Sequence, residues 1–130
     1  MPGLPVTSVT AAIAGLMLIA LSVPISLRRM KLKALAGDAG DEGLRRLIRA
    51  QGNFTEYAPM GLILLALVEL GITPTGLLWG IGLLLVVGRG LHALGMLRGS
   101  LAVRALGMAA TFASLITSAV ILLVRYFNHA

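Results

Sequence analysis

The chain contains no cysteine. Disulfides, a nucleophilic thiolate of the protein's own and Cys-based metal sites are therefore excluded, and any thiol chemistry must draw on a small molecule. Charge is scarce too. Only 12% of the 130 residues are charged, and just 5 are acidic, where soluble domains carry about 25% charged residues. Aromatic residues make up 5% of the chain and are not interleaved with the basic ones, so the net charge of +6 does not indicate a nucleic-acid surface. Residues 1–10 have no basic segment, and a cleaved signal peptide is not expected. What remains is apolar: 58% of residues are hydrophobic and the mean hydropathy is +0.94. A water-soluble fold of this size could not hide so much apolar surface, so lipid must be the solvent for most of the chain.

A helical span needs about 20 mostly apolar residues. The sequence predicts four, at 6–27, 44–70, 74–96 and 101–127, making one all-α domain over 1–130, a four-helix transmembrane bundle. Pro24 is expected to bend the first span, and Pro74 to open the third as a first-turn residue. All Lys and Arg residues except Arg125 fall around the first and third connections, while the second, 71–75, is uncharged. The positive-inside rule then puts those two loops in the cytoplasm and both termini outside. Small residues at helix-packing spacing, Ala11 with Gly15 and Gly76 with Gly80, suggest close helix approach. On the fourth span Arg104, Thr111, Ser118 and Arg125 recur every seventh residue beside Ser114, which reads as a polar stripe facing another helix.

The second span carries the chemistry. At about 100° per residue, Arg46, Arg49, Asn53 and Glu56 fall within roughly an 80° arc running inward for roughly 15 Å. A charge at that depth costs ~2.5–3.5 kcal/mol unless paired or hydrated, so such residues mark functional sites by default; gluing helices together is the structural alternative. Pro59 removes a backbone bond to Thr55 beside Glu56 and is expected to kink this span. Glu69, on another side near the outer end, reads as a solvated end residue. Arg89 and His92 share one face of the third span. No metal site is expected, because His92 and His129 lie at opposite membrane surfaces without ligand partners. Neither a serine triad nor a phosphate loop is supported.

The run Arg49-Ala50-Gln51-Gly52-Asn53-Phe54-Thr55-Glu56-Tyr57-Ala58-Pro59 resembles the second-helix signature of the MAPEG family, the membrane-associated proteins in eicosanoid and glutathione metabolism. It is most similar to the leukotriene synthase and microsomal glutathione transferase branch, and the compact, glycine-rich chain to bacterial members, which implies a bacterial inner membrane. The resemblance implies a homotrimer with glutathione bound between subunits, and lipophilic substrates entering from the bilayer. Position by position, it implies that Arg49, Asn53, Glu56 and Tyr57 hold the tripeptide. Arg28 and Arg29 match a paired arginine assigned to carboxylate binding and proton handling, Arg89 matches a third-helix arginine, and Arg104 matches the one that stabilises the thiolate. His92 and Met96 stand where eukaryotic relatives have tyrosines, Gly52 where some have a larger side chain, and Ala105 where the prostaglandin branch has a serine. His92 joins the candidate ligand-binding set.

The expectation is a glutathione-dependent transferase or peroxidase acting on lipophilic electrophiles. The alternative is a non-catalytic membrane module of the same scaffold that binds a lipid or another small anionic ligand. A small drug exporter would need a carboxylate in its first helix, and residues 6–27 have none.

Overall fold

The computed structural model describes residues 3–129; Met1, Pro2, Ala130 and the His129 side chain lie outside it. The readings made of the chain's extreme ends and of His129 therefore fall outside the described residues. Four helices follow one another: α1 (Pro5–Leu32), α2 (Glu42–Leu70), α3 (Thr75–Arg98) and α4 (Leu101–His129). At 1.5 Å per residue the shortest is about 36 Å long, more than the ~30 Å hydrocarbon core of a bilayer.

The helix limits follow from local chemistry. Pro5 sits at the first turn of α1, where its missing N–H leaves nothing unsatisfied, and Lys33 ends that helix in the left-handed region. Asp41 caps α2, its Oδ1 accepting the Leu44 N–H at 2.6 Å, and Glu42 adds a favourable charge in the first turn. Pro74 does not open α3 from inside. It precedes Thr75 as the cap, and its carbonyl accepts the N–H groups of Leu77 and Leu78. Gly99 stops α3 with φ of 70°, a conformation open to glycine at little cost. The two interior prolines do not break their helices: α1 runs on through Pro24 and α2 through Pro59.

By length and composition α1, α3 and α4 can each cross a membrane. α2 is just as long but less apolar, since its first half carries Arg45, Arg46, Arg49 and Glu56. α2 and α3 each pack against all three other helices, whereas α1 and α4 do not touch. The loop-one end of the core is built from Ala14, Leu21, Ala50, Phe54, Ala58 and Ala93, and the opposite end from Val6, Leu65, Val68, Leu78 and Ile81.

The closest helix approach is between α3 and α4, and it is not where residue spacing suggested. A Cβ on Gly15, Gly76 or Gly80 would meet nothing within 4 Å. A Cβ on Gly95, by contrast, would lie 2.4 Å from the Arg104 backbone nitrogen, and one on Gly107 2.3 Å from that of His92. Thr111 and Ser114 are buried in this seam, the Ser114 hydroxyl donating to the Ile81 carbonyl at 3.0 Å, and Ser118, also buried, donates to the Ser114 carbonyl at 2.9 Å. The middle of the α4 polar stripe, Thr111 and Ser114, therefore faces α3.

Glu69 is no solvated end residue. Its two carboxylate oxygens accept the N–H groups of Val6 and Thr7, each at 2.7 Å, and so cap α1 from the end of α2. Four N–H groups at any helix start lack intrahelical partners, and an anion there also meets the positive end of the helix dipole. Arg125 does the converse. It donates to the carbonyls of Val68 at 3.0 Å and Ile72 at 2.8 Å, and to the Thr73 hydroxyl, closing the last turn of α2.

Candidate functional site

At the loop-one end, a cleft of about 380 Å3 opens among three helices. α2 contributes Ile48, Arg49, Gly52, Asn53 and Glu56, α3 contributes His92 and Met96, and α4 contributes Arg104 from its first turn. The polar residues of α2 reach it because they share one helix face, while Ala50, Phe54 and Ala58 take the opposite, buried face. His92 and Arg104 reach it because Gly107 and Gly95 let the α3 and α4 backbones close together. Gly52 leaves the wall open at a position where a side chain would project.

Beneath the cleft lies a buried cation. Arg89 is 2% exposed and has no carboxylate partner among the described residues. Neutral acceptors hold it instead. Its Nε donates to Thr111 Oγ1 at 2.9 Å and its Nη1 to Asn53 Oδ1 at 2.7 Å, while Nη2 lies 3.8 Å from the Met108 thioether. Its guanidinium carbon sits 5.0 Å from the centre of the Tyr57 ring, which in turn packs against Phe112 at 6.0 Å. The quadrupole of the ring attracts the cation, and with the three donor contacts this offsets part of the desolvation. One consequence reaches the cleft: the bond from Arg89 fixes the oxygen of the Asn53 amide, so its NH2 group is left as a donor.

The cleft itself is polar and unsatisfied. Among the described residues the side chains of Arg49, Glu56 and Arg104 have neither an ion pair nor a hydrogen bond, and all three are exposed in the single chain. His92 is 1% exposed, and its Nε2 is buried without a partner among the described residues. Arg104 sits in the first turn of α4, where the helix dipole disfavours a cation. The arrangement can therefore receive an anion flanked by cationic groups at two positions, with one carboxylate left over for a cation.

Of the residues singled out in the sequence, Arg49, Asn53, Glu56, His92 and Arg104 line this cleft, and Arg89 and Tyr57 support it from below. Arg28 and Arg29 do not join it within one chain. Arg28 forms a two-pronged pair with Asp41, at 2.8 and 2.9 Å, and Arg29 Nε donates to the Gly37 carbonyl at 3.3 Å. The pair with Arg28, helped by the Leu44 N–H, holds the Asp41 carboxyl down at about 2. Sequence reasoning missed Met108 and the α3–α4 glycines. Thr111, the acceptor for Arg89, stood in the seven-residue stripe with Arg104, and that shared spacing was the available signal.

An all-helical membrane protein with a polar cleft sunk into one end of its bundle is the class that this fold and site define. The family model of the MAPEG family matches residues 6–124, and the chain belongs to that family. It is 30% identical over 111 residues, 85% of each chain, to the inner membrane protein YecN of Escherichia coli strain K12, and to the same degree to YecN of strain CFT073.

Proposed function

We propose that the protein is a glutathione-dependent membrane enzyme of the transferase or peroxidase type, acting on lipophilic electrophiles that enter from the bilayer. The observation that carries this reading is the cleft in which Arg49, Arg104 and Glu56 stand unpaired in a chain with no thiol of its own. Glutathione brings two carboxylates, one ammonium group and one thiol. Arg49 and the Asn53 NH2 suit a carboxylate, Glu56 suits the ammonium, and Arg104 is left for the sulfur. A free thiol has a pKa of about 8.5, and an adjacent guanidinium in a partly dry cleft favours its thiolate. His92 Nε2, buried at the cleft wall, supplies one more polar contact once a ligand settles there. The sulfur then attacks an electrophilic carbon, and the leaving group departs with its electron pair.

The working unit in this reading is a homotrimer. Glu56 lies mid-span yet is exposed in the single chain, and a neighbouring copy would cover it and could bring Arg28 and Arg29 to the cleft. Loops one and three lie in the cytoplasm and both termini outside in this reading, because every Lys and Arg except Arg125 falls around those two loops. The test is conjugation of glutathione to a chlorodinitrobenzene-type electrophile by purified protein, alongside calorimetric titration with glutathione. Saturable binding and a rate that collapses in Arg104→Ala are expected. No binding and no rate above background would remove the proposal.

A further inference from the structure

A second cavity, about 470 Å3, opens beside the cleft at the same end of the bundle. Arg29 of α1, Gly37 and Asp38 of the connection, and Arg45, Ile48 and Arg49 of α2 form its walls. Three arginines and one aspartate thus line it. That carboxylate is already engaged, because Asp38 accepts from Arg45 Nε at 2.7 Å. Arg29 uses only its Nε, in a long bond of 3.3 Å to the Gly37 carbonyl, and Arg49 has no side-chain partner among the described residues. Two arginines of one cavity thus keep N–H donors to spare, and guanidinium forks suit the oxygens of a phosphate.

The rim is braced and cannot simply fold onto these arginines. Arg28 grips Asp41 with both prongs, and Asp38 Oδ1 accepts the Gly40 N–H at 3.0 Å. Apolar surface adjoins the charge. Leu35, two residues before Gly37, is 101% exposed, and Leu32 lies on the same helix face as Arg29, one turn further on. Such a place suits a ligand with an anionic head and a hydrocarbon body.

We propose that this cavity binds the phosphate of an anionic phospholipid between Arg29 and Arg49, with the acyl chains lying along Leu32 and Leu35. The inference does not require the glutathione reading, although Arg49 and Ile48 border both cavities and Arg29 enters the trimer reading as well. A bound headgroup would hold Arg49 from one side while a ligand in the cleft engages it from the other.

Native mass spectrometry of the detergent-solubilised protein, with phosphatidylglycerol and phosphatidylcholine added in equal amounts, tests the proposal. Preferential retention of phosphatidylglycerol is expected. Arg29→Gln and Arg45→Gln should each lower it roughly fivefold, the equivalent of about 1 kcal/mol per basic residue near an anionic lipid surface. Asp38→Asn should raise it, a gain that misfolding cannot imitate. Arg98→Gln, which removes the same charge outside the cavity, should leave it unchanged. Equal losses in Arg29→Gln and Arg98→Gln, or equal retention of the two lipids, would overturn the proposal. So would displacement of the lipid by millimolar inorganic phosphate, since the anion alone would then account for the binding. Glutathione titration of the same variants is read separately, so failure of either idea leaves the other measurable.

Discussion

Two polar residues a single turn apart on α2 should respond in opposite ways to mutation. Asn53 gives its oxygen to the buried Arg89 guanidinium, whereas Glu56 has no partner among the described residues. Asn53→Leu strands a buried cation and is expected to lower stability by about 1.5–3 kcal/mol, the range for a lost hydrogen bond to a charged group. Glu56→Gln should leave the thermal midpoint unchanged and weaken glutathione binding, which melting curves and calorimetry on the same samples will separate. For Arg104→Ala, the expected loss in kcat is on the order of 10²-fold, as for removal of one preorganised charge-stabilising donor. The thiolate absorbance of bound glutathione should move to higher pH in that variant. The residues of this ladder were legible in the sequence because charge inside an apolar helix is costly, and because these residues share the helical period. Arg89 was legible as a cation sharing a face with His92 and as a match to a third-helix arginine of the family; that it would clasp Asn53 and lie on Tyr57 depends on a helix contact that no spacing within α3 reveals.

Helix contacts and helix ends decide the next level. Gly95→Ala and Gly107→Ala each put a Cβ within 2.4 Å of the neighbouring backbone and should destabilise by about 1–3 kcal/mol, the cost of overpacking. Gly76→Ala, which meets nothing, should be neutral in the same melting assay. Three of the helices could be read from apolar length, and α2 from an apolar run interrupted by Arg49, Asn53 and Glu56, but the residues that join the helices could not. Gly15, Gly76 and Gly80 have the spacing of a packing motif and face outward, because spacing fixes which residues share a face and not what that face meets. Glu69 and Arg125 were unreadable for a similar reason: capping a distant helix end requires knowing which ends adjoin. The Arg28–Asp41 pair ties α1 to α2 at the other end, and its pH dependence has a definite sign. Asp41 sits at about 2 when folded, below its ordinary 3.8, so its contribution is full above about pH 4 and is lost as pH falls toward 2. Unfolding monitored from pH 5 to pH 2 should show this loss, and Asp41→Asn should flatten it.

For the whole molecule, orientation in the membrane is open to direct measurement because the chain has no thiol to remove first. Leu35 and Ile72 are both fully exposed, one in the connection after α1 and the other in that after α2. In spheroplasts a membrane-impermeant maleimide should label Ile72→Cys and spare Leu35→Cys; the reverse pattern would invert the proposed topology. The packing of the four helices also divides the labour among them unequally. α1 touches α2 and α3 but never α4, and it gives no side chain to the walls of the main cleft. The cleft walls thus come from α2, α3 and α4, while α1 supports them through the shared core and is moored to α2 at one end by Glu69 and at the other by Asp41. Changes along its outer flank can alter what the bundle leans on without disturbing the chamber beside it.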